Sequence, residues 1–366
     1  MKIQQNILDL TYPQLKEFVR SLGEPVYRSE QILQWIYGRR ATSFEEMTDL
    51  PLSLRQKLAG VASLSSLAPV DERISADGQT RKVLFKLDDG KTIESSIMLY
   101  EKAGSSRERR TVCVSTQVGC PLGCPFCATG QQSFERNLRP GEIIEQVLYF
   151  MRMVSSEQKS GKVATDSARR PVTNVVFMGM GEPLANYEAV WQAVEMLNSK
   201  RGSGLGARQI TISTAGLVPE IHRLAGESIY VELAISLHAA NDALRNKLVP
   251  VNKKYPLGQL IPACREYFKK TGRRPTFEYA LFSRVNDSAE SAHDLARLVE
   301  GMNCQVNLIA GNPTACEEFA PSPMKRVLAF QKILQNSGVS STIRVSKGTD
   351  IEAGCGQLRS RLSRDL

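Results

Sequence analysis

Seven short β-rich runs separated by helical patterns constrain this chain more than any other feature. The runs are TVCVST (111–116), TNVVFM (173–178), QITIST (209–214), VELAISL (231–237), PTFEYALF (275–282), QVNLIAG (305–311) and STIRVS (341–346). Between them lie amphipathic stretches such as PGEIIEQVLYFMRMV and YEAVWQAVEMLNSK, whose apolar residues recur at helical spacing. Strands this apolar are buried on both faces, which implies an α/β fold with a parallel sheet covered by helices. Such a succession fits a complete or partial (β/α) TIM-like barrel, with the chemistry on loops that follow the strands. A doubly wound open sheet competes, but no G-x-G-x-x-G follows the first strand.

The preceding residues read differently. Residues 1–65 form a small helical N-terminal domain: Thr11 with Pro13 opens one helix and Gly23 closes it, and Ser29 with Glu30 opens SEQILQWIYGRR. Ser43 with Glu46 forms a capping box ahead of a helix that starts at Pro51 and Ser53. Residues 66–111 are a β-rich connecting segment in which RKVLFKL and KTIESSIML pair as a hairpin across Asp88-Asp89-Gly90. The barrel spans 112–350, and 351–366 is a C-terminal segment. Residues 155–171 are polar and aperiodic, as in a mobile insertion.

With 366 residues, 42% of them hydrophobic, the chain can bury a full core. It opens on no signal peptide and has no 18-residue apolar run, so a cytoplasmic protein without a membrane partner is expected. A disulfide framework suits short secreted chains, and the eight cysteines are expected reduced or metal-bound. A net charge of +9 permits a polyanionic partner. The basic stretches are Arg39-Arg40, Arg107 to Arg110, Lys253-Lys254, Lys269-Lys270 and Arg273-Arg274.

Cys120, Cys124 and Cys127 fall within eight residues of a Gly- and Pro-rich loop just after the first strand of the barrel. Three thiolates hold three corners of a cubane cluster and leave one iron open to substrate. Zinc would need a fourth ligand, and the nearest histidine is His222, although distant residues could supply one. Gly179, Gly181 and Glu182 follow the second strand. Ser213, the run Ser236, Leu237 and His238, and Asn312 stand at later strand ends, where barrel sites sit; each alone could be a cap, a turn former or a satisfied core residue.

The C-x3-C-x2-C spacing, with Phe126 inside it, resembles the radical-SAM superfamily. The resemblance implies a [4Fe–4S] cluster on Cys120, Cys124 and Cys127. It also implies S-adenosylmethionine (SAM) held by Gly181, Glu182, Ser213, Ser236, Leu237, His238 and Asn312. Closer still, the runs Arg110–Cys120, Leu248–Tyr255, Val285–Ser288 and Thr349–Leu358 resemble the RlmN family of ribosomal RNA large-subunit methyltransferases, with similarity over nearly the whole chain. Gly354 stands where that family more often has alanine. The family methylates C2 of an adenine in the peptidyl-transferase region of 23S rRNA and, in many members, in the tRNA anticodon loop. C2 is an electron-poor amidine carbon, so polar attack on the SAM methyl is unavailable.

The resemblance implies two SAM molecules per turnover. One methylates Cys355; the other yields a 5′-deoxyadenosyl radical that takes hydrogen from the S-methyl group. The carbon then adds to C2, and Cys113 resolves the protein–RNA adduct as a transient disulfide forms with Cys355. It further implies Glu94 as a proton acceptor, an electron donor such as flavodoxin or ferredoxin, and a monomer. On a hairpin strand, however, Glu94 could equally be a solvated carboxylate. Cys264 and Cys304 read as core, and Cys316 has no role. The rivals are a Cfr-type enzyme that methylates C8 of the same adenine, disfavoured by Pro183 after Glu182, and a non-catalytic Fe–S RNA-binding protein, which would have no use for Cys355.

Overall fold

The computed structural model describes residues 4–100, 109–159, 170–312, 317–344 and 346–358. Cys316, Arg107 and residues 160–169 of the expected insertion lie outside them, whereas 155–159 simply complete a helix.

The N-terminal helices follow their sequence signals with two corrections. Helix α1 (Tyr12–Ser21) starts on a reciprocal capping box between Thr11 and Gln14, and Gly23 turns the chain beyond it with φ 76°. Helix α2 (Arg28–Leu33) begins before Ser29 and continues as wider π-type turns through Gln34–Arg39. Ser29 does not cap it, because its hydroxyl donates to the Val26 carbonyl. The Ser43–Glu46 box starts no helix. The Glu46 carboxylate does accept from the Thr42 and Ser43 N–H groups, but the Thr42 hydroxyl also binds that carboxylate, and the segment closes into turns. Helix α3 (Leu52–Val61) starts after Pro51.

Strands β1 (Leu67–Ile74), β2 (Thr80–Leu87) and β3 (Thr92–Tyr100) form an antiparallel meander; β2 and β3 are the expected hairpin. β1 carries no apolar alternation because it is a mostly exposed edge strand, bulged next to Pro69. The seven barrel strands follow: β4 (Arg109–Cys113), β5 (Asn174–Phe177), β6 (Ile210–Thr214), β7 (Glu232–Ser236), β8 (Thr276–Leu281), β9 (Gln305–Ala310) and β10 (Ser341–Arg344). All ten lie in sequence order in one sheet, with β4 to β10 mutually parallel. A doubly wound sheet must reverse its strand order, and this one never does. The end strands β1 and β10 do not pair with each other, so the barrel is partial.

The crossovers carry α4 (Pro140–Lys159), α5 (Tyr187–Asn198), α6 (Val218–Leu224), α7 (Asp242–Leu248), α8 (Leu257–Thr271), α9 (Ala289–Leu298) and α10 (Met324–Asn336). Among the described residues no helix is long and apolar enough to cross a membrane. The N-terminal segment shares the barrel's core and is pinned to it: the Asp9 carboxylate accepts from Gly141 N–H at 2.8 Å, and Gln192 donates to the Asp9 carbonyl at 2.8 Å.

One buried cation ties the strand ends together. Arg245 of α7 is fully buried and donates to the carbonyls of Ala215 (2.6 Å), Ser236 (3.2 Å) and Leu237 (3.1 Å), and to Asn252 Oδ1 (2.6 Å). Burial pulls it down to about 10, which leaves it charged at neutral pH. Arg245→Met should strand these acceptors and lower unfolding free energy by about 3 kcal/mol or more. Denaturant titration checks this, and an unchanged midpoint would show that the strand ends hold without it.

Candidate functional site

All but one of the strand-end and cluster residues singled out above face a single cavity of about 170 Å3. Cys120, Cys124, Cys127, Gly181, Glu182, Ser213, Ser236, His238, Asn312 and Cys355 line it. Leu237 does not: its side chain is fully buried, and its carbonyl serves Arg245. Cys113 lines a smaller adjoining cavity of about 20 Å3, and Cys355, Met178, Ile309, Arg344 and Leu358 line both.

The loop after β4 turns at Gly119 (φ 74°), where a Cβ would sit 2.1 Å from the Ser133 carbonyl oxygen. Burial pushes the Cys120 thiol up to about 12 and raises those of Cys124 and Cys127. Bare thiolates are therefore costly here, and a cationic iron centre would offset that cost. Among the described residues no three Cys, His, Asp or Glu side chains converge as ligands of a single metal ion. Three thiols spread around one cavity, without converging on a single ion, suit a cluster that takes one thiolate per iron.

Glu182 is buried. Its Oε1 accepts from Leu184 N–H at 3.0 Å and its Oε2 from Ala215 N–H at 2.8 Å, the Thr214 hydroxyl also binds the carboxylate, and the side chain lines the cavity. Burial pushes it up to about 7. Gly181 (φ 101°) is needed beside it, because a Cβ would lie 2.6 Å from the Gln117 Cβ. His238 Nδ1 accepts from Ala280 N–H at 3.0 Å, so Nε2 carries the proton. Burial, reinforced by Arg245, pulls His238 down to about 3 and keeps it neutral. Phe126 packs edge-on against its ring, with centroids 4.9 Å apart.

The C-terminal segment closes the cavity. Asn312 Nδ2 donates to the Cys355 carbonyl (2.9 Å), Ala128 N–H to the Gly356 carbonyl (2.8 Å), and the Thr129 hydroxyl to the Leu358 carbonyl (2.6 Å). Burial pushes Cys113 up to about 12, opposed by Arg344. Arg344 is itself held above its ordinary value, chiefly by Cys355. Arg344 is the last residue of β10, and nothing in the local sequence marks it as a site residue. Glu94 lines neither cavity and is not solvated: it is 3% exposed, with Lys82 Nζ 3.1 Å away.

The basic stretches divide. Arg110 is buried against the Arg170 carbonyl, while Lys270 and Arg273 are engaged by Glu266 and Glu232. Arg109 instead joins Arg208, Arg344, Lys347 and Tyr100 around an open recess of about 680 Å3, whose carboxylates are Glu232 and Glu278. Arg344 and Met178 line this recess and both cavities. Cys264 and Cys304 are core, as expected.

A sequential partial barrel whose first loop turns three thiols into a cavity is the scaffold of the radical-SAM class, and residues 114–296 match the model of the Radical SAM superfamily. Residues 5–64 match that of the ribosomal RNA large subunit methyltransferase N-terminal domain. The "Probable dual-specificity RNA methyltransferase RlmN" of Moorella thermoacetica is 47% identical over 94% of this chain and 94% of its own. The "Ribosomal RNA large subunit methyltransferase N" of Nitrosopumilus maritimus is 46% identical over 94% of this chain and 96% of its own. The crystal structure of a radical SAM methyltransferase from Sphaerobacter thermophilus superimposes with a TM-score of 0.90 at 47% identity, covering 97% of this chain and 99% of that one. The chain belongs to the RlmN family of radical-SAM RNA methyltransferases, a class that works with a [4Fe–4S] cluster and SAM.

Replacing Cys120, Cys124 or Cys127 by alanine should abolish the visible iron–sulfur absorption of anaerobically reconstituted protein; a full cluster in any one variant would show the ligands misassigned. Glu182→Ala should keep the cluster and weaken SAM binding by about 1–3 kcal/mol, as expected for one lost acceptor. Calorimetric titration reads the change, and unchanged affinity would leave Glu182 as no more than a brace for Leu184 and Ala215.

Proposed function

We propose that this enzyme methylates C2 of an adenine in the peptidyl-transferase region of 23S rRNA, and of an adenine in the tRNA anticodon loop, with Cys355 as methyl carrier and Cys113 as resolving thiol. The observation that carries this reading is the shared wall: Cys355 borders both the three-thiol cavity and the cavity of Cys113. A carrier must meet the methyl source on one side and its resolving partner on the other.

When bound, the cluster and SAM supply a methyl group and, after one-electron reduction by a flavodoxin- or ferredoxin-like donor, hydrogen abstraction; two SAM molecules are therefore consumed per methyl transferred. The chain's own residues do the rest. Cys120, Cys124 and Cys127 would hold three irons; Glu182, Ser213, Ser236, His238 and Asn312 would orient SAM. The Cys355 sulfur takes the methyl and, once a hydrogen is lost, its carbon bonds to C2. The addition leaves one unpaired electron, which would pass to the redox centre that the three thiols hold, and the C2 proton leaves to a base; the Cys113 thiolate then attacks the Cys355 sulfur, an S–S bond forms, and the electrons of the broken S–C bond stay with the carbon, which takes a proton to become the methyl group. External thiol resets the pair.

The recess lined by Arg109, Arg208, Arg344 and Lys347 supports an RNA substrate, since its cations suit phosphate, and Met178 and Arg344 line both it and the cavity of Cys113. Residues 1–65 would act as the accessory RNA-binding domain. The dual-specificity name of the relatives supports a second RNA target beside the first, and Glu182-Pro183 supports C2 over C8.

The two cysteines should fail differently. Cys355→Ala should bind cluster and SAM yet form neither methylated protein nor RNA adduct. Cys113→Ala should methylate Cys355, add to RNA and stall with the RNA covalently attached. A shifted band on denaturing electrophoresis in Cys113→Ala alone supports the assignment; a band in Cys355→Ala, or full turnover by either, contradicts it.

A further inference from the structure

The meander added to the barrel carries an ion pair whose location is unusual. Lys82 on β2 stands opposite Ser96 on β3, and Ser96 opposite Cys113 on β4, so the three side chains form one row on one face of the sheet. Glu94 is the diagonal neighbour of Lys82 on that face, and both side chains are 3% exposed, with Nζ 3.1 Å from Oε1. A lysine–glutamate pair this buried loses more in desolvation than its attraction returns unless further hydrogen bonds satisfy it. An apolar pair of equal volume would stabilise the sheet at least as well, so the pair needs another reason to be there.

That reason lies above it. Lys82 Nζ donates to the main-chain carbonyl of Glu352 at 3.2 Å. Glu352 has φ 54°, a left-handed conformation that a non-glycine residue holds only under outside constraint. The same stretch is fastened at two more points. Ala76 N–H donates to the Asp350 carboxylate at 2.8 Å, and Gly348 lies so close to Thr80 that a Cβ would be 2.6 Å from its Cγ2.

We infer that Lys82 is a positioning residue that fixes the chain three residues ahead of Cys355, and so sets the Cys355 sulfur over Cys113. This rests on the reading of Cys113 and Cys355 as partners. Glu94 keeps Lys82 charged and aimed at the Glu352 carbonyl, and the row through Ser96 to Cys113 gives both sulfurs one frame of reference. The meander is thereby part of the site: it carries the clamp that brings two cysteines far apart in sequence to a common position.

The test uses the full-length, cluster-loaded protein in anaerobic glutathione buffers. Glutathione disulfide oxidises the Cys113 and Cys355 thiols to one disulfide and is reduced to two glutathione thiols; mass analysis of the linked peptide gives the equilibrium constant. Lys82→Met should lower that constant about tenfold, the size of one charge-assisted hydrogen bond, with cluster absorption retained. Because Lys82→Met leaves Glu94 as a lone buried charge, Lys82→Met combined with Glu94→Gln is the decisive variant and should show the same fall. A constant equal to that of the unmodified protein in the double variant would overturn the role of Lys82 alone. An unmodified protein that forms no Cys113–Cys355 disulfide at any glutathione ratio would overturn the pairing of the two thiols, and the positioning role with it.

Discussion

Three main-chain carbonyls of the C-terminal segment, each taken by a donor from a distant part of the chain, hold the site in one piece. Asn312 takes that of Cys355, Ala128 that of Gly356, and Thr129 that of Leu358. Two of these donors directly follow Cys127, so the segment bearing Cys355 is docked on the loop bearing the three thiols. A buried carbonyl left unpaired costs about 1–3 kcal/mol, which makes the docked geometry strongly preferred over a loose tail. The cavity, its closure and the placement of Cys355 on two walls all follow from that docking.

The barrel supplies what such docking needs: a rigid rim. Parallel strands in sequence order bring every following loop to the same end, and Arg245 gathers the carbonyls of residues 215, 236 and 237 from beneath. Glu182 repeats the device in opposite polarity, its carboxylate collecting the N–H groups of Leu184 and Ala215. A buried cation and a buried carboxylate thus brace adjacent strand ends through backbone, and leave Ser213, Ser236 and His238 facing the cavity.

Much of this is legible in the sequence, for identifiable reasons. The barrel strands show because apolar runs bounded by turn residues have no other use, and the thiol loop shows because its spacing is local. Helix starts at Ser29 and Ser43 misread because a serine hydroxyl or a nearby threonine can bind a carbonyl or carboxylate instead of the helix N-terminus. β1 is hidden because an exposed edge strand needs no alternation. The roles of Lys82, Arg245 and Arg344 are hidden for another reason. A charged residue carries no local sign that it will be buried; that depends on which distant carbonyls and thiols the fold brings to it. Glu94 looks like a surface carboxylate on a hairpin until the fold buries it beside Lys82, which binds the C-terminal segment.

In the proposed route the methyl group reaches RNA through the Cys355 sulfur and not directly from SAM. Supplying the reduced holoenzyme with SAM whose methyl group carries three deuterium atoms tests this most directly. Passage through Cys355 removes one methyl hydrogen before the carbon bonds to adenine and replaces it on release, so mass analysis of the first methyladenine formed on pre-labelled enzyme should find two deuterium atoms. Three deuterium atoms in the product would mean that the methyl group moved intact, and would contradict the role given to Cys355.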